Sequence, residues 1–271
     1  SEMCIRDRDH STPYFRSIFG NMTEEAMVDN IEVMKSLSTY HKKNHYLLNN
    51  GAKNEYNPPS WSDSDNIFPL SAPTHPMTHI EWAAYIRAFD KDNTKGDVLE
   101  FGVACAGTIR DIAFINPDKT IYGFDHFQGL EQTKQQTPDY AGWHQGAFRL
   151  GGSEYKQTYD QVLEDCSQFP NITLVVKDIH ELDDPSAYGI KKISAVHIDV
   201  DIYEPTVSAL NFVDKCEWDK IYMRFDDWHG HEPDYDFHER QACREWIDKN
   251  GYFINVMRNG LHGEAIVSKK L

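Results

Sequence analysis

The stretch DVLEFGVACAGT, Asp97–Thr108, decides the predicted fold class of this chain. Its apolar residues predict a short buried strand, and the small residues from Gly102 to Gly107 allow a sharp turn and the close approach of a ligand. A second predicted strand ends at Asp125, near the distance of about 20 residues at which an acid typically binds a ribose diol. The pattern therefore predicts a nucleoside-containing cofactor at the carboxyl edge of a doubly wound α/β sheet.

The spacing of the glycines separates this turn from two phosphate-binding loops. Ala104 occupies the place of the middle glycine that a G-x-G-x-x-G fingerprint needs for its pyrophosphate. Thr108 follows Gly107 directly, without the lysine of a G-x-x-x-x-G-K-[ST] loop. Glu100, two residues before the first glycine, is typical of S-adenosylmethionine sites, because that cofactor has no phosphate to repel a carboxylate. The alternative is an ordinary βα turn in another α/β protein.

The composition limits the classes of partner. The 271 residues are enough for one large domain, and the net charge of −16 argues against a nucleic-acid binder, which needs a basic surface. No run approaches the roughly 18 apolar residues of a membrane span, and no apolar signal-peptide core is visible. Five cysteines without a C-x-x-C pair favour free thiols. We therefore expect a cytoplasmic protein with no nucleic-acid or membrane partner.

The chain is expected to contain three parts. Residues 1–8 include SEMCIRD, which matches the translation of a sequencing-library adapter, and they are excluded from fold reasoning. Residues 9–76 combine a helix predicted over 23–40 with a long loop over 49–76. We expect this part to form a helical lid over the carboxyl edge of the sheet, where it would exclude water. Residues 77–271 should form the core.

Strands and helices alternate through this core, which predicts a mostly parallel seven-stranded sheet with helices on both faces. The short connection RNGLHG between the last two predicted strands indicates a hairpin, so the last strand should be antiparallel. The predicted helices cover 77–89, 108–114, 154–166, 205–214 and 235–249. The predicted strands cover 97–103, 120–124, 172–177, 193–200, 221–226, 252–257 and 264–269.

Acidic side chains follow two neighbouring strands of the predicted sheet. Asp199 and Asp201 lie in HIDVDIYEPT, and Asp226 and Asp227 lie in MRFDDWHG. Because the carboxyl ends of parallel strands meet at one edge, we expect Asp199, Asp226 and Asp227 to offer Mg²⁺ an all-oxygen site. The alternative is that some of these acids cap the helices that follow them. Asp201, which precedes the helix predicted from 205, is such a case.

On these motifs the chain resembles the macrocin O-methyltransferase family, metal-dependent class I methyltransferases that act on sugar hydroxyls in natural products. The matching pieces are LEFGVACAGT, YGFDHFQGL, the W-x-x-G of Trp143–Gly146, HIDVDIYEPTVSAL and FDDWHG. Their order and spacing agree from about Glu81 to Val267. The resemblance implies a Rossmann-like class I methyltransferase fold, S-adenosylmethionine as methyl donor, a sugar or glycoside as acceptor, and a homo-oligomeric assembly.

The resemblance also assigns a cofactor role to single residues. The residues expected to bind S-adenosylmethionine are Glu100, Gly102, Gly107, Thr108, Asp125, Asp178 and Ile179. The first four would hold the methionine end, Asp125 would bind the ribose hydroxyls, and the last two would lie beside the adenine.

The catalytic role is assigned to the acids. The resemblance makes Asp199, Asp226 and Asp227 the metal ligands and Asp199 the general base. A sugar hydroxyl is a poor nucleophile at neutral pH, and a cation on vicinal hydroxyls lowers its pKa and fixes its orientation. The chain departs from the family at His197, where an arginine is frequent, and at Ala106, where a glycine is common. The strand period of two places His197 on the side of Asp199.

Three alternatives remain open. A D-x-D motif at Asp199–Asp201 also occurs in phosphatases of the haloacid dehalogenase type, but there it follows the first strand, and Tyr203 stands where those enzymes have Thr or Val. A cofactor-binding subunit without chemistry is opposed by the presence of all three candidate metal acids. A catechol-type O-methyltransferase acting on a small diol differs only in its acceptor. The segments expected to bind the acceptor, 49–76 and 133–152, contain no motif that identifies it.

Overall fold

The computed structural model describes residues 82–83, 85–87, 95–135, 137, 142–228, 237–259 and 262–269, with the backbone alone for 255–259. The segment 1–8, the lid expected over 9–76 and the helix predicted over 23–40 lie outside the described residues. Within the helix predicted over 77–89, the described residues are helical.

Seven strands form one sheet in the order β3-β2-β1-β4-β5-β7-β6. The strands are β1 (Asp97–Phe101), β2 (Ile121–Asp125), β3 (Ile172–Val176), β4 (Ile193–Ile198), β5 (Lys220–Phe225), β6 (Phe253–Asn259) and β7 (Gly263–Ser268). The first five strands are parallel to one another, whereas β7 is antiparallel to both of its neighbours. The expected α/β fold, mostly parallel with an antiparallel last strand, is confirmed.

Four helices follow strands or loops of this core: α1 (Gly107–Ile115), α2 (Tyr159–Ser167), α3 (Tyr203–Lys215) and α4 (His238–Asn250). The predicted start of α2 at residue 154 is wrong, because Thr158 and Gln161 form a capping box that fixes the first turn later. Two short 3-10 helices, Ile179–Glu181 and Pro185–Tyr188, were not predicted. None of the described helices is both long and apolar enough to cross a membrane.

Alternate side chains of the central strands enter two hydrophobic cores. Leu99 and Phe101 of β1 belong to one core, which α3 and α4 cover. Val98 belongs to the other, which contains Ile109 of α1 and Trp82 of the helical segment at 82–87. Since side chains alternate between the faces of a strand, Glu100 lies on the same face as Val98. A charged residue is thereby placed against an otherwise apolar core.

Candidate functional site

The turn after β1 is held in place by Asp125. Its Oδ2 accepts hydrogen bonds from the backbone N–H groups of Val103 and Ala104, both at 2.8 Å, and its Oδ1 accepts one from Phe127 N at 2.6 Å. A carboxylate offers about four lone-pair positions, so three such bonds leave room for one more donor. Asp125 thus shapes the turn itself, and its predicted contact with a ribose hydroxyl would come in addition.

The two predicted cofactor glycines have different surroundings. Gly102 has φ +85°, and a Cβ built on it would lie 1.7 Å from the carbonyl oxygen of Asp199, so the close approach of two backbones requires glycine there. A Cβ built on Gly107 would meet no atom of the described residues within 4 Å. Gly107 opens α1, and the described residues leave the space beside it open, which is the environment expected of a residue that borders a ligand.

The other predicted cofactor residues lie along the same edge of the sheet. Thr108 is the second residue of α1 and is partly exposed. Asp178 directly follows β3, and its Oδ1 accepts a hydrogen bond from His180 N at 2.9 Å, which caps the first 3-10 helix. Ile179 packs against the core on the α3 side. Asp178 therefore has a local structural role besides the predicted adenine contact.

A row of charged side chains crosses the sheet beneath this edge. Strand register aligns Glu100 with His197, His197 with Arg224, and Arg224 with Glu264. All four side chains are buried. His197 Nδ1 lies 3.6 Å from Glu100 Oε1, and the ring packs on Trp82 with 5.4 Å between centroids. His197, which lies on β4 just before the acids, is thus next to Glu100, a predicted cofactor residue.

Burial alone would favour neutral His197, but the carboxylates around it prevail. Asp226 Oδ1 lies 3.8 Å from its Nε2, and this contact, together with Glu100, raises the pKa of His197 to about 10. The prediction that His197 points to the side of Asp199 is confirmed, because ligand atoms of both lie within 4.8 Å of each other. The imidazolium is a positive charge fixed between the two predicted sites.

The acids after β4 and β5 lie close together. Among the described residues, two sets of donor atoms lie within 4.8 Å of one another: His197, Asp199 and Asp226, and also Asp199, Asp201 and Asp227. The predicted ligands Asp199, Asp226 and Asp227 are therefore divided between two groups that share Asp199. We call the second set, Asp199, Asp201 and Asp227, the carboxylate triad.

The members of the carboxylate triad repel one another. Burial and the charge of Asp226 raise the pKa of Asp199 to about 8. Burial and neighbouring carboxylates also raise the pKa values of Asp201 and Asp227 well above the usual range. Like charges at such distances cannot all be ionised unless a positive charge compensates them. An all-oxygen donor set of crowded carboxylates fits a hard cation such as Mg²⁺.

Asp226 has the opposite environment. Burial would raise its pKa, but His262 and Arg224 outweigh burial and hold the pKa of Asp226 well below the usual range. Arg224 Nη2 lies 2.8 Å and His262 Nδ1 lies 3.1 Å from Asp226 Oδ1. The protein itself therefore compensates the charge of Asp226, whereas burial and neighbouring carboxylates outweigh the lowering effect of His197 and Arg224 on the pKa of Asp199.

Asp201 was assigned to helix capping as the alternative to a functional role, and the structure corrects that assignment. The N-cap of α3 is Ile202, which makes no side-chain capping hydrogen bond, and it is His238 that accepts from the first backbone N–H of this helix. Asp201 instead has a left-handed backbone with φ 59° and joins the carboxylate triad. Non-glycine residues rarely adopt this conformation, and residues held in such conformations cluster at functional sites. The D-x-D spacing was the sequence signal that could have added Asp201 to the candidates.

The beginning of the segment predicted to bind the acceptor is tied to the core. Glu131 Oε1 lies 2.8 Å from His180 Nε2, and Ser208 Oγ of α3 lies 2.7 Å from His180 Nδ1. Thr133 Oγ1 donates a hydrogen bond to Glu204 at 2.9 Å. These contacts fasten the loop after β2 across the first half of α3, next to the acids.

The same segment contacts the first residue of α4. The indole of Trp143 packs edge-on against the ring of His238, with 5.2 Å between centroids. His238 Nδ1 accepts a hydrogen bond from Tyr203 N at 3.3 Å. Trp143, part of the W-x-x-G motif, thus lies where α3 and α4 begin.

We expect His238 to make the folded protein less stable in acid. Burial lowers the pKa of His238 to about 4, so the unfolded chain takes up a proton near pH 6.5 that the folded chain excludes. The stabilisation is complete above that pH and is lost as pH falls towards 4. Between pH 7 and pH 5 we expect His238 to lower the unfolding free energy by about 2 kcal/mol.

Urea denaturation at the two pH values measures this loss. In His238→Asn an amide oxygen replaces Nδ1 as acceptor without a titrating group, so the variant should lose less stability on acidification. The carboxylates contribute equally to both proteins and cancel in the comparison. Equal losses in the variant and the native protein would contradict the assignment.

Comparisons with known proteins agree with this architecture. No protein-family model matches the chain, and no curated protein matches it. Among solved structures, the O-methyltransferase NovP is similar with a TM-score of 0.54 and 18% identity over 72% of this chain and 83% of NovP. CalS11, a calicheamicin methyltransferase, is similar with a TM-score of 0.56 and 20% identity over 97% of this chain and 98% of CalS11. The chain therefore has the fold of these two methyltransferases.

Proposed function

We propose that the protein is an O-methyltransferase that uses S-adenosylmethionine and Mg²⁺ and acts on a hydroxyl of a sugar or glycosylated metabolite. The observation that carries this proposal is the position of the carboxylate triad beside the open turn after β1. A methyl donor in the turn and a hydroxyl on a cation at the triad would be neighbours. The fold shared with NovP and CalS11 supports the reaction class, and the resemblance to the macrocin family supports the sugar acceptor.

The cofactor would lie along the edge formed by β1, β2 and β3. Glu100, Gly102, Gly107 and Thr108 would hold its methionine end, Asp125 its ribose, and Asp178 and Ile179 its adenine. The free space at Gly107 and the remaining lone pair of Asp125 support this placement. A sulfonium cofactor, once bound there, supplies an activated methyl group.

The acceptor hydroxyl must lose its proton as it attacks the methyl group. Asp199 lies in both donor groups and is the residue best placed to take that proton. A cation held by Asp199, Asp226 and Asp227, with Asp201 as a further ligand, would lower the pKa of the hydroxyl and orient it. The fixed charges of His197 and Arg224 keep Asp226 ionised.

Assembly and location follow from the same proposal. The resemblance supports a homo-oligomer. The four cysteines of the described region, Cys105, Cys166, Cys216 and Cys243, are free thiols, which suits the reducing cytoplasm. The net charge of −16 supports a small-molecule acceptor rather than a nucleic acid.

Calorimetry tests the cofactor. We expect the protein to bind S-adenosylmethionine and its demethylated product, S-adenosylhomocysteine, but not NAD. Asp125→Ala should weaken this binding by about 1–3 kcal/mol, the cost of losing hydrogen bonds to a charged group, and should also loosen the turn that Asp125 holds. Asp118→Ala, an exposed acid at the opposite end of β2, is the control. Binding of NAD without binding of either S-adenosyl ligand would refute the proposal.

Removal of metal tests the second half of the site. Excess EDTA should abolish methyl transfer, and added Mg²⁺ should restore it. Asp226→Asn and Asp227→Asn should each reduce turnover while the affinity for S-adenosylhomocysteine stays nearly unchanged, because both acids lie on the acceptor side of the edge. Full activity in EDTA would show that the acids serve another purpose.

A further inference from the structure

Glu239 lies at the start of α4 and is completely buried, although it is far in sequence from the acids. Its Oε1 accepts a hydrogen bond from Val200 N at 3.1 Å, and its Oε2 accepts one from Asp227 N at 3.0 Å. One carboxylate thereby binds the backbone of the loop after β4 and that of the loop after β5. Val200 stands between Asp199 and Asp201, so these two bonds reach the backbone that carries the whole carboxylate triad.

We propose that Glu239 is a positioning residue that sets the distance between the two acid-bearing loops and so assembles the carboxylate triad. This inference rests on the proposed function, because the function is what gives the assembled triad a purpose. The backbone ladder extends to Asp199, whose N–H donates to Phe101 O, and to Asp226, whose N–H donates to Ile198 O, both at 2.9 Å. The next N–H groups, those of Val200 and Asp227, donate to Glu239 instead. A single rigid group that accepts from both loops supplies the constraint that the sheet does not.

The location of Glu239 argues against a role in stability alone. Glu239 is completely buried and bonds the backbone of Asp227, and removal of such a polar group from water costs folding free energy. Glu239 also lies in the first turn of α4, whose N-cap residue Phe237 makes no side-chain capping hydrogen bond. The side chain instead reaches across to the two loops.

Glu239→Gln separates positioning from packing. Glutamine has almost the same shape but only one acceptor oxygen, so its amino group must face one of the two backbone N–H groups. One loop is then released without creation of a cavity. The matched control is Glu245→Gln on the same helix, where the carboxylate accepts a hydrogen bond from the Tyr203 hydroxyl at 2.6 Å and does not bond either acid loop among its described contacts.

Three measurements on the full chain test the proposal. In Glu239→Gln, amide hydrogen exchange should accelerate at least tenfold in the peptide of the released loop, which contains either Val200 or Asp227. In Glu245→Gln it should stay unchanged in both peptides. Mn²⁺ affinity, measured by electron paramagnetic resonance, should fall at least tenfold in the first variant only. S-adenosylhomocysteine affinity should stay unchanged in both variants. Glu239→Asp keeps both acceptors on a shorter side chain and should give an exchange rate and a Mn²⁺ affinity between those of the native protein and Glu239→Gln. It replaces Glu239→Gln in the test if that variant does not fold.

The outcomes distinguish this inference from the proposed function. Unchanged exchange at both amides, unchanged Mn²⁺ affinity, or acceleration spread evenly over the whole chain would overturn the positioning role. A native protein that binds no Mn²⁺ would refute the metal part of the proposed function. The exchange rates would then still decide whether Glu239 braces the two loops.

Discussion

Asp199→Asn is expected to reduce the rate of methyl transfer by a factor of about 100 to 10,000, which is the usual contribution of a general base. Asparagine keeps the size of the side chain but cannot accept the hydroxyl proton, and it is a weaker ligand for a hard cation. Asp199 belongs to both groups of donor atoms at the sheet edge, so no other acid of the described site replaces it at the same position. The initial rate of methyl transfer at saturating cofactor measures the effect.

Two controls make the result specific. Affinity for S-adenosylhomocysteine should remain close to that of the native protein, because the proposed cofactor contacts do not include the Asp199 side chain. Asp183→Asn, which removes an exposed carboxylate paired with Lys177 at 2.8 Å, should leave the rate unchanged. Near-native turnover of Asp199→Asn would exclude Asp199 as the base, and the acid that takes the proton would have to be sought among its neighbours.

Gly102→Ala is expected to lower the free energy of unfolding by more than about 4 kcal/mol, which is exceptional for one methyl group. The new Cβ would lie 1.7 Å from the backbone oxygen of Asp199, and alanine would have to adopt φ +85°. Relief would require β1 and β4 to separate in the middle of the sheet. Thermal and urea denaturation measure the loss, and we expect a large fraction of the variant to be insoluble.

Gly107→Ala is the matched comparison in the same turn. Its Cβ would meet no described atom within 4 Å, so the variant should fold with nearly native stability. The methyl group would nevertheless occupy the space expected for the methionine end of the cofactor, and affinity for S-adenosylhomocysteine should fall at least tenfold. A Gly102→Ala protein of native stability would contradict the first expectation. Native affinity in Gly107→Ala would place the cofactor elsewhere.

The mostly parallel sheet and the direction of its last strand could be predicted from local patterns. Alternation of apolar runs with helical stretches leaves few arrangements for a parallel sheet, and the connection RNGLHG is too short for a crossover. The boundaries were less accurate where side chains decide them. Thr158 moved the start of α2, and Asp178 and Asp184 capped two 3-10 helices that have no periodic signal.

The proximity of the acids was also predictable in part. Asp199 and Asp226 end neighbouring parallel strands, and topology alone brings such ends to one edge. Topology does not determine which oxygen atoms meet. The position of Asp201 before α3 favours a helix cap in the sequence. In the structure Asp201 has a left-handed backbone and lies beside Asp199 and Asp227.

The sequence by itself determined the parts that depend on neighbours in the chain: the glycine turn, the acid at the end of β2, the mostly parallel sheet and the set of candidate acids. The tertiary structure alone decided how charges at distant positions combine. Strand register placed Glu100 beside His197, Arg224 compensated Asp226, and Glu239 of α4 reached both acid loops. These contacts join residues that are far apart in the sequence, so the pattern around any one of them does not predict its partner.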